Sequence, residues 1–414
     1  MSVTFDFDIA IIGAGAAGIG AARRLSGSGL SILMIEAMPR PGGRAWTVRS
    51  SAGPLDLGCG WLHSADRNPW TALAGELGFS VDRHPSAWGH QFEDRGFSIQ
   101  DHTAASNAFQ SWNEGLRRLG PGHDRASDAL APDKRWNAYL QALSGYISGD
   151  ELERISAEDY LAYDDASTDC NWRVLGGYGS MITSALPASV DLRLGVPLER
   201  LELTSGGVRL STPQGSFTAR AAILTMSSYV LASGTIDLPP ALDDWRHAAS
   251  LLPLGNNEKL FLEVVGPSPF QPETHVIGDP SDPETGSYYI MPLGMAVIEC
   301  FLGGAGARSA ALMGAEAAFA RAVDQLTALF GASVRSCLKP LTASNWAGTA
   351  SIGGGYSHAL PGHAGARKLL ARPYDDRIFF AGEATHKSDF STAHGAYATG
   401  LRAAEEFLAT LRSA

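Results

Sequence analysis

DIAIIGAGAAGIGAARRLSGSGLSILMIEAMPRPGGR, residues Asp8–Arg44, is the stretch that decides the fold. Ile9–Ile12 reads as a buried strand, and Gly13, Gly15 and Gly18 follow it as G-x-G-x-x-G, directly before a helix rich in Ala and Leu. The first glycine allows a tight turn, the second lets backbone approach a pyrophosphate, and the third permits close packing of helix on strand. At Ala16 and Ala17 the helix N-terminus offers free N–H groups and a positive dipole end to phosphates. Leu30–Ile35 predicts a second strand. Glu36 lies 21 positions after Gly15, where a carboxylate accepts hydrogen bonds from an adenosine ribose and repels a 2′-phosphate. A lone G-x-G-x-x-G is weak, but strand, turn, helix, strand and acid here fall in register, so the stretch reads as a complete nucleotide-binding βαβ unit.

Just past Glu36, Arg40-x-Gly42-Gly43-Arg44 forms a second Gly-rich, Arg-bearing loop, which suits an extended FAD better than NAD. The whole stretch resembles the N-terminus of the flavin amine oxidases. That resemblance implies FAD contacts at Gly13, Gly15, Ala16, Ala17, Gly18, Glu36, Ala37, Arg40, Gly42, Gly43 and Arg44.

Composition sets the bounds. With 414 residues and 45% hydrophobic content the chain is long enough for two cores. A formal net charge of −11 argues against nucleic acid and anionic membrane surfaces, and is compatible with a cationic substrate. Cys59, Cys170, Cys300 and Cys337 lie far apart with no C-x-x-C pair, as expected of reduced thiols in a cytoplasmic protein rather than of a disulfide framework or metal site. A strand starting within the first ten residues leaves no room for a targeting peptide, and no apolar run reaches the length of a bilayer span.

Farther on, Leu55–Trp70, LDLGCGWLHSADRNPW, places Gly58 and Gly60 where backbone can pass close to something flat. Taken alone, His63 fits an ordinary partly buried histidine. The segment resembles the W-x-H-G…N-P block of animal spermine and acetylpolyamine oxidases, which implies that Gly60, Trp61, His63, Asn68 and Pro69 lie near the flavin and the mouth of a substrate tunnel. Ser64 stands where that family usually has Gly. From about 71 to 169, helical stretches such as Ala104–Leu119 and Trp136–Ile147 alternate with polar loops. Asp150–Asp169 carries eight acids and one base, which suits either a solvated helix face or an electrostatic lure for a polycation.

Leu175–Ser180 opens a helix, and 192–203 and 207–225 read as strands; this part resembles the family's return to the FAD domain, with Leu198 at its usual Val and Ser227 at its usual Pro. Lys259 sits inside the strand-like run GNNEKLFL, where an ammonium is costly to bury unless it is hydrogen-bonded. It could be snorkelling from a strand edge. The K-L-F-L-E pattern, however, resembles the strand of polyamine oxidases and histone demethylases whose lysine bonds through water to flavin N5. Strands around Ser287–Phe301 and a helix over Ala310–Phe330 follow.

Trp346–Gly362 resembles the W-x(7)-G-x-Y-S block. Gly355 occupies the position of the cysteine that bonds to flavin in mitochondrial monoamine oxidases, so FAD is expected to be non-covalent, and Tyr356 keeps the aromatic wall. Arg377–Phe407 is the most specific block, very like G-E-A-T-H…S-T-x-H-G-A…G-x-R-A of spermine oxidases. It implies cofactor contacts at Trp346, Gly382, Glu383, Thr392 and Ala393, and an aromatic substrate wall at Phe390. Thr392 also reads as the N-cap of a helix whose Ala396 and Gly400 permit close packing.

The expected fold class is α/β: a doubly wound, Rossmann-like FAD domain from about 1–70, 170–245 and 345–414, with an interleaved α+β substrate domain from 71–169 and 246–344. Implied by the resemblance is oxidation of a C–N bond of a polyamine-like amine, with hydride passing to flavin N5 and oxygen giving hydrogen peroxide. Lys259, Tyr356, Phe390 and His63 are the candidate catalytic residues. Another amine substrate, whether a monoamine or an L-amino acid, a desaturase of the same fold, and a non-catalytic FAD binder stay open, as does the oligomeric state.

Overall fold

In the computed structural model, residues 4–120, 122–132 and 134–413 are described. Phe7–Ile12 is the central strand of a seven-stranded sheet. It pairs in parallel with Ile32–Glu36 on one side and with Gly215–Leu224 on the other. Asp191–Leu194 extends the sheet beyond Ile32–Glu36, again in parallel. The long strand Gly215–Leu224 does double duty on its far edge: its first half joins the antiparallel hairpin strands Gly207–Thr212 and Arg200–Thr204, and its second half takes Ile378–Phe380 in parallel.

Both faces of the sheet are covered, which explains why the first strand shows no polar alternation. Ile9 and Ile11 face a core shared with helices Ala16–Leu25 and Ala393–Ser413, while Ala10 and Ile12 face a second core with Leu231, Leu242, Leu252 and Leu370. The two helices on the first face touch backbone to backbone: a Cβ on Gly400 would stand 1.9 Å from the Ala17 carbonyl oxygen. This is the close packing that the small residues of the last helix predict. The fold class is α/β, as its sequence predicts.

The second sheet is antiparallel, in the order Thr274–Ile277, Ser287–Ile290, Val297–Gly303, Asn257–Val264, Leu338–Ala343. Its even-numbered side chains, including Leu260, Leu262, Tyr288, Ile298 and Cys300, pack under helices Gly304–Met313 and Ala315–Phe330. One helix was expected there; Gly314, at φ +85°, divides it in two. The helix predicted from Ala104 starts earlier, over Ile99–Leu116, because Ser98 caps it by accepting from Asp101 N at 3.1 Å. Asn137–Ser148 ends at Gly149, at φ +80°. No helix among the described residues is long and apolar enough to cross a membrane.

The acidic run Asp150–Asp169 is neither a plain solvated face nor an open lure. Asp159 is buried and chelated by Arg367 at 2.6 and 2.8 Å, Asp150 and Glu151 pair with Arg308, and Asp164 and Asp165 share Arg117. Arginines from distant segments spend most of the charge, which composition could not reveal.

Candidate active site

The turn after the first strand is built by its glycines. Gly13 adopts φ +109°, and a Cβ there would lie 2.4 Å from Thr225 Oγ1; a Cβ on Gly18 would lie 2.0 Å from the Gly13 carbonyl oxygen. Gly18 therefore packs the helix and does not face the cavity. The second glycine loop docks on the first through Gly42 N, which donates to the Ala14 carbonyl at 2.8 Å. Glu36 accepts from Ala14 N with one carboxylate oxygen and from Met38 N with the other, both at 2.8 Å. These bonds fix the carboxylate at the end of its strand, facing the cavity, with further lone pairs to accept from a ligand.

Arg44 crosses to the C-terminal block, donating to Glu383 at 3.1 Å and to the Gly355 carbonyl. Glu383 is fully enclosed and also accepts from Ser357 Oγ at 2.6 Å, Ser357 N and Ser391 N. Burial pushes its pKa up, but the guanidiniums of Arg44 and Arg367 and these hydrogen bonds more than offset that and hold it below the usual range. Thr392 caps the last helix, its hydroxyl accepting from Gly395 N at 2.9 Å.

A cavity of about 950 Å³ runs from this cradle into an aromatic chamber. Of the anticipated cofactor residues, Gly13, Gly15, Ala16, Ala17, Glu36, Ala37, Gly42, Gly43, Arg44, Gly60, Trp61, Leu198, Trp346, Gly382, Glu383, Thr392 and Ala393 line it. Arg40 does not: its guanidinium lies 4.3 Å over the Trp46 ring and donates to its neighbour Pro41's carbonyl. The close-approach glycines, the helix N-terminus and the strand-end acid suit an adenine dinucleotide with its pyrophosphate over Gly13–Ala17.

The floor of the chamber is the odd-numbered face of the second sheet, because alternate side chains of a strand share a face. Asn257, Lys259, Glu299, Phe301, Ser287, Tyr289, His275 and Ile277 all line the cavity from four of its five strands. Lys259 is buried, and its Nζ meets Glu299 Oε1 at 2.8 Å and the Asp56 carbonyl oxygen at 3.1 Å. It does not snorkel.

Opposite, Trp61 lies against Trp88 with ring centroids 4.1 Å apart and against Tyr289 at 5.7 Å. His63 also lines the chamber, bonded through Nδ1 to Asn171 Oδ1 at 2.8 Å; burial pulls its pKa down to about 4, and that of His275 likewise. Both are neutral at pH 7. Tyr356 faces the chamber with its hydroxyl tied to the Tyr146 carbonyl, and burial raises its pKa.

Besides Gly18 and Arg40, three further anticipated residues lie elsewhere. Phe390 is buried beneath Tyr163, its ring covered by the Arg367 guanidinium at 3.5 Å, so it forms no wall of the chamber. Asn68 and Pro69 start the helix Pro69–Glu76, with Asn68 Oδ1 accepting from Trp70 N at 3.0 Å. Ser64 adopts φ +48°, a left-handed conformation that favours glycine. Ser227, in the place of a proline, caps Ser228–Ser233 and donates to the Ile352 carbonyl at 2.7 Å. Glu299, Trp88, Tyr289 and Phe301 belong to no motif and were not anticipated; only Glu299 carried a signal, as one acid in the apolar run VIECFLG.

Comparison with known proteins agrees with this arrangement. A family model described as flavin containing amine oxidoreductase matches residues 16–97 and 92–408. The chain is 28% identical to polyamine oxidase 2 of Arabidopsis thaliana, across 96% of this chain and 87% of that protein. It is 25% identical to lysine-specific histone demethylase 1 homolog 2 of Oryza sativa subsp. japonica, across 97% of this chain and 57% of that one. Its fold resembles a cyclohexylamine oxidase from Brevibacterium oxydans, with TM-score 0.77 at 19% identity, covering 98% of this chain and 100% of that chain. It also resembles putrescine oxidase bound to putrescine, with TM-score 0.74 at 18% identity, covering 97% and 99%. With nucleotide cradle, chamber and family match in agreement, the chain belongs to the flavin containing amine oxidoreductases and is an FAD-dependent amine oxidoreductase.

Proposed function

We propose that the chain oxidises a C–N bond of a diamine or polyamine-like substrate to an imine, which water hydrolyses to an aldehyde, with oxygen as the final acceptor. One observation carries this reading: a single cavity joins the nucleotide cradle to an aromatic chamber with a lysine–glutamate pair in its floor. Bound FAD supplies the two-electron acceptor for the hydride leaving the amine's α-carbon. The chain's own residues do the rest. Trp61, Tyr289 and Tyr356 line an apolar path that holds an alkyl chain and excludes bulk water. The same ring faces attract a remaining ammonium, and Asp164, whose Oδ2 is held by Arg117 at 2.9 Å, brings a carboxylate to the chamber wall. The reacting nitrogen must be neutral before hydride leaves its carbon, so turnover should rise with pH.

Names of relatives support the polyamine reading, since the 28%-identical protein is a polyamine oxidase. Aromatic walls and neutral histidines favour a second substrate, a monoamine with an apolar ring. An amino-acid substrate is disfavoured because Arg44 and Lys259, the Arg and Lys side chains lining the cavity among the described residues, are both engaged by carboxylates. The test mixes anaerobic enzyme with spermine, spermidine, putrescine, cyclohexylamine, benzylamine and L-amino acids while flavin absorbance is followed. Fast bleaching by the polyamines supports the proposal; fast bleaching by a ring monoamine with polyamines inert moves the assignment to the second reading.

FAD binding here is non-covalent in this proposal. Gly355 has no nucleophile, and a Cβ at this position would already lie 2.7 Å from Asn257 Oδ1. Acid precipitation should therefore release all the yellow colour to the supernatant. Glu36→Ala should weaken FAD retention by about 1.5–3 kcal/mol, the worth of hydrogen bonds to a charged group. Equilibrium dialysis of the holoprotein measures this, and unchanged retention would mean that another residue holds the ribose.

A further inference from the structure

We propose that Glu299 is a positioning residue for the oxidation: it holds the Lys259 ammonium at one point of the cavity floor and supplies its counter-charge. The inference rests on the proposed oxidation and on Lys259, the candidate catalytic lysine of the cavity floor, acting in it.

Four features of the geometry carry it. Phe261 pairs with Glu299 and Lys259 with Phe301 across the antiparallel strands, so Lys259 and Glu299 are diagonal neighbours on one face, a spacing that long side chains bridge. The resulting contact is 2.8 Å in a site where both side chains are largely enclosed. Two of the three ammonium hydrogens point at Glu299 Oε1 and the Asp56 carbonyl, which leaves the third for whatever occupies the cavity. From above, Gly60 closes the site: a Cβ there would come within 3.2 Å of Nζ.

A lysine has a four-carbon stem with about 2 kcal/mol of rotamer entropy, so an ammonium without an anchor would wander through the chamber. Burying it without a counter-charge would also favour loss of its proton. Glu299 prevents both, and the neutral pair does not repel an incoming ammonium substrate.

Few other groups around the pair can confuse a pH experiment. The Asp56 carboxyl is raised by burial while held by Thr47, Tyr178 N and Gly179 N; burial pushes the Cys59 thiol and the Tyr289 hydroxyl up to about 12; His63 and His275 are pulled down to about 4. Arg44, the other cation on this side of the cavity, is held by Glu383.

The experiment compares E299Q, E299D, K259M and the E299Q/K259M double variant as FAD-loaded proteins. Readouts are the absorption spectrum of the oxidised flavin across pH, the rate at which anaerobically reduced flavin passes two electrons and two protons to dioxygen to give hydrogen peroxide, and the melting temperature. E299Q should keep its FAD, melt somewhat below the parent because it leaves a buried ammonium without its counter-charge, shift the flavin bands and slow reoxidation by about 10- to 100-fold. E299D should fall between the two. In the K259M background E299Q should add nothing, since the groups act as a unit. Equal effects of E299Q with and without Lys259 would overturn the proposal, as would a parent-like E299Q spectrum and rate. Normal reoxidation in K259M would instead remove the lysine's role; the spectral coupling between the two positions would still judge whether Glu299 places it.

Discussion

Arg367→Met lowers the melting temperature more than any surface substitution, with a loss of about 3–5 kcal/mol, the usual result of removing one partner from a buried ion pair. The expectation follows from how completely the guanidinium is used. Arg367 is 3% exposed and chelates Asp159, donates to Ser357 Oγ at 2.9 Å, and reaches the carbonyls of Ser357 and Ala384, both at 3.2 Å. Methionine fills much of the volume but leaves Asp159 as a buried carboxylate with only the Ala359 N–H at 2.8 Å for support. Ser357 also touches Glu383, so the loss should reach the cradle and loosen FAD as well. Thermal melts followed by tryptophan and by free-flavin fluorescence measure both effects. A variant that melts like the parent would show that Asp159 is neutralised by other means.

Lys259→Met acts on chemistry rather than on folding. It keeps the side chain's approximate length, removes a fixed cation from the chamber floor, and should slow reoxidation of reduced flavin on the order of 10²-fold, comparable to removing one preorganised donor from an active site. Glu299 loses its partner in this variant but lines the cavity and keeps some exposure, so the fold should survive. Stopped-flow mixing of the anaerobically reduced variant with oxygenated buffer gives the rate. Parent-like kinetics with FAD still bound would return Lys259 to a structural role.

Much of the cradle was legible in the sequence because its elements are local. A strand, three glycines, a helix and an acid at fixed spacing leave little freedom, and the structure sets Gly13 in the turn at φ +109° and Glu36 at the strand end. The chamber was less legible because it is made by register. Glu299 and Lys259 are 40 positions apart, and only the pairing of two antiparallel strands brings them to 2.8 Å. Phe390 shows the opposite failure: a motif gave its position along the chain but not which way its ring turns, and Arg367, a residue outside every motif, draws it away from the cavity. Arg40 fails for the same reason, held by Trp46.

The second sheet divides its labour by parity. Most of its buried even-numbered side chains are committed to the helices beneath, and its odd-numbered side chains to the chamber or, for Phe261 and Val297, to a core with Leu55, Leu57 and Trp346. Ser287 and His275, whose side chains bond each other on the chamber face, can thus be exchanged for residues of other size or polarity while the helices below keep their packing, whereas Ile277 also joins a core with Phe97 and Tyr139 and Tyr289 bonds Ala87 N and Glu273. Such an arrangement lets selection, or a designer, try new substrates at Ser287 and His275 one side chain at a time, on the face of the sheet away from its supporting helices.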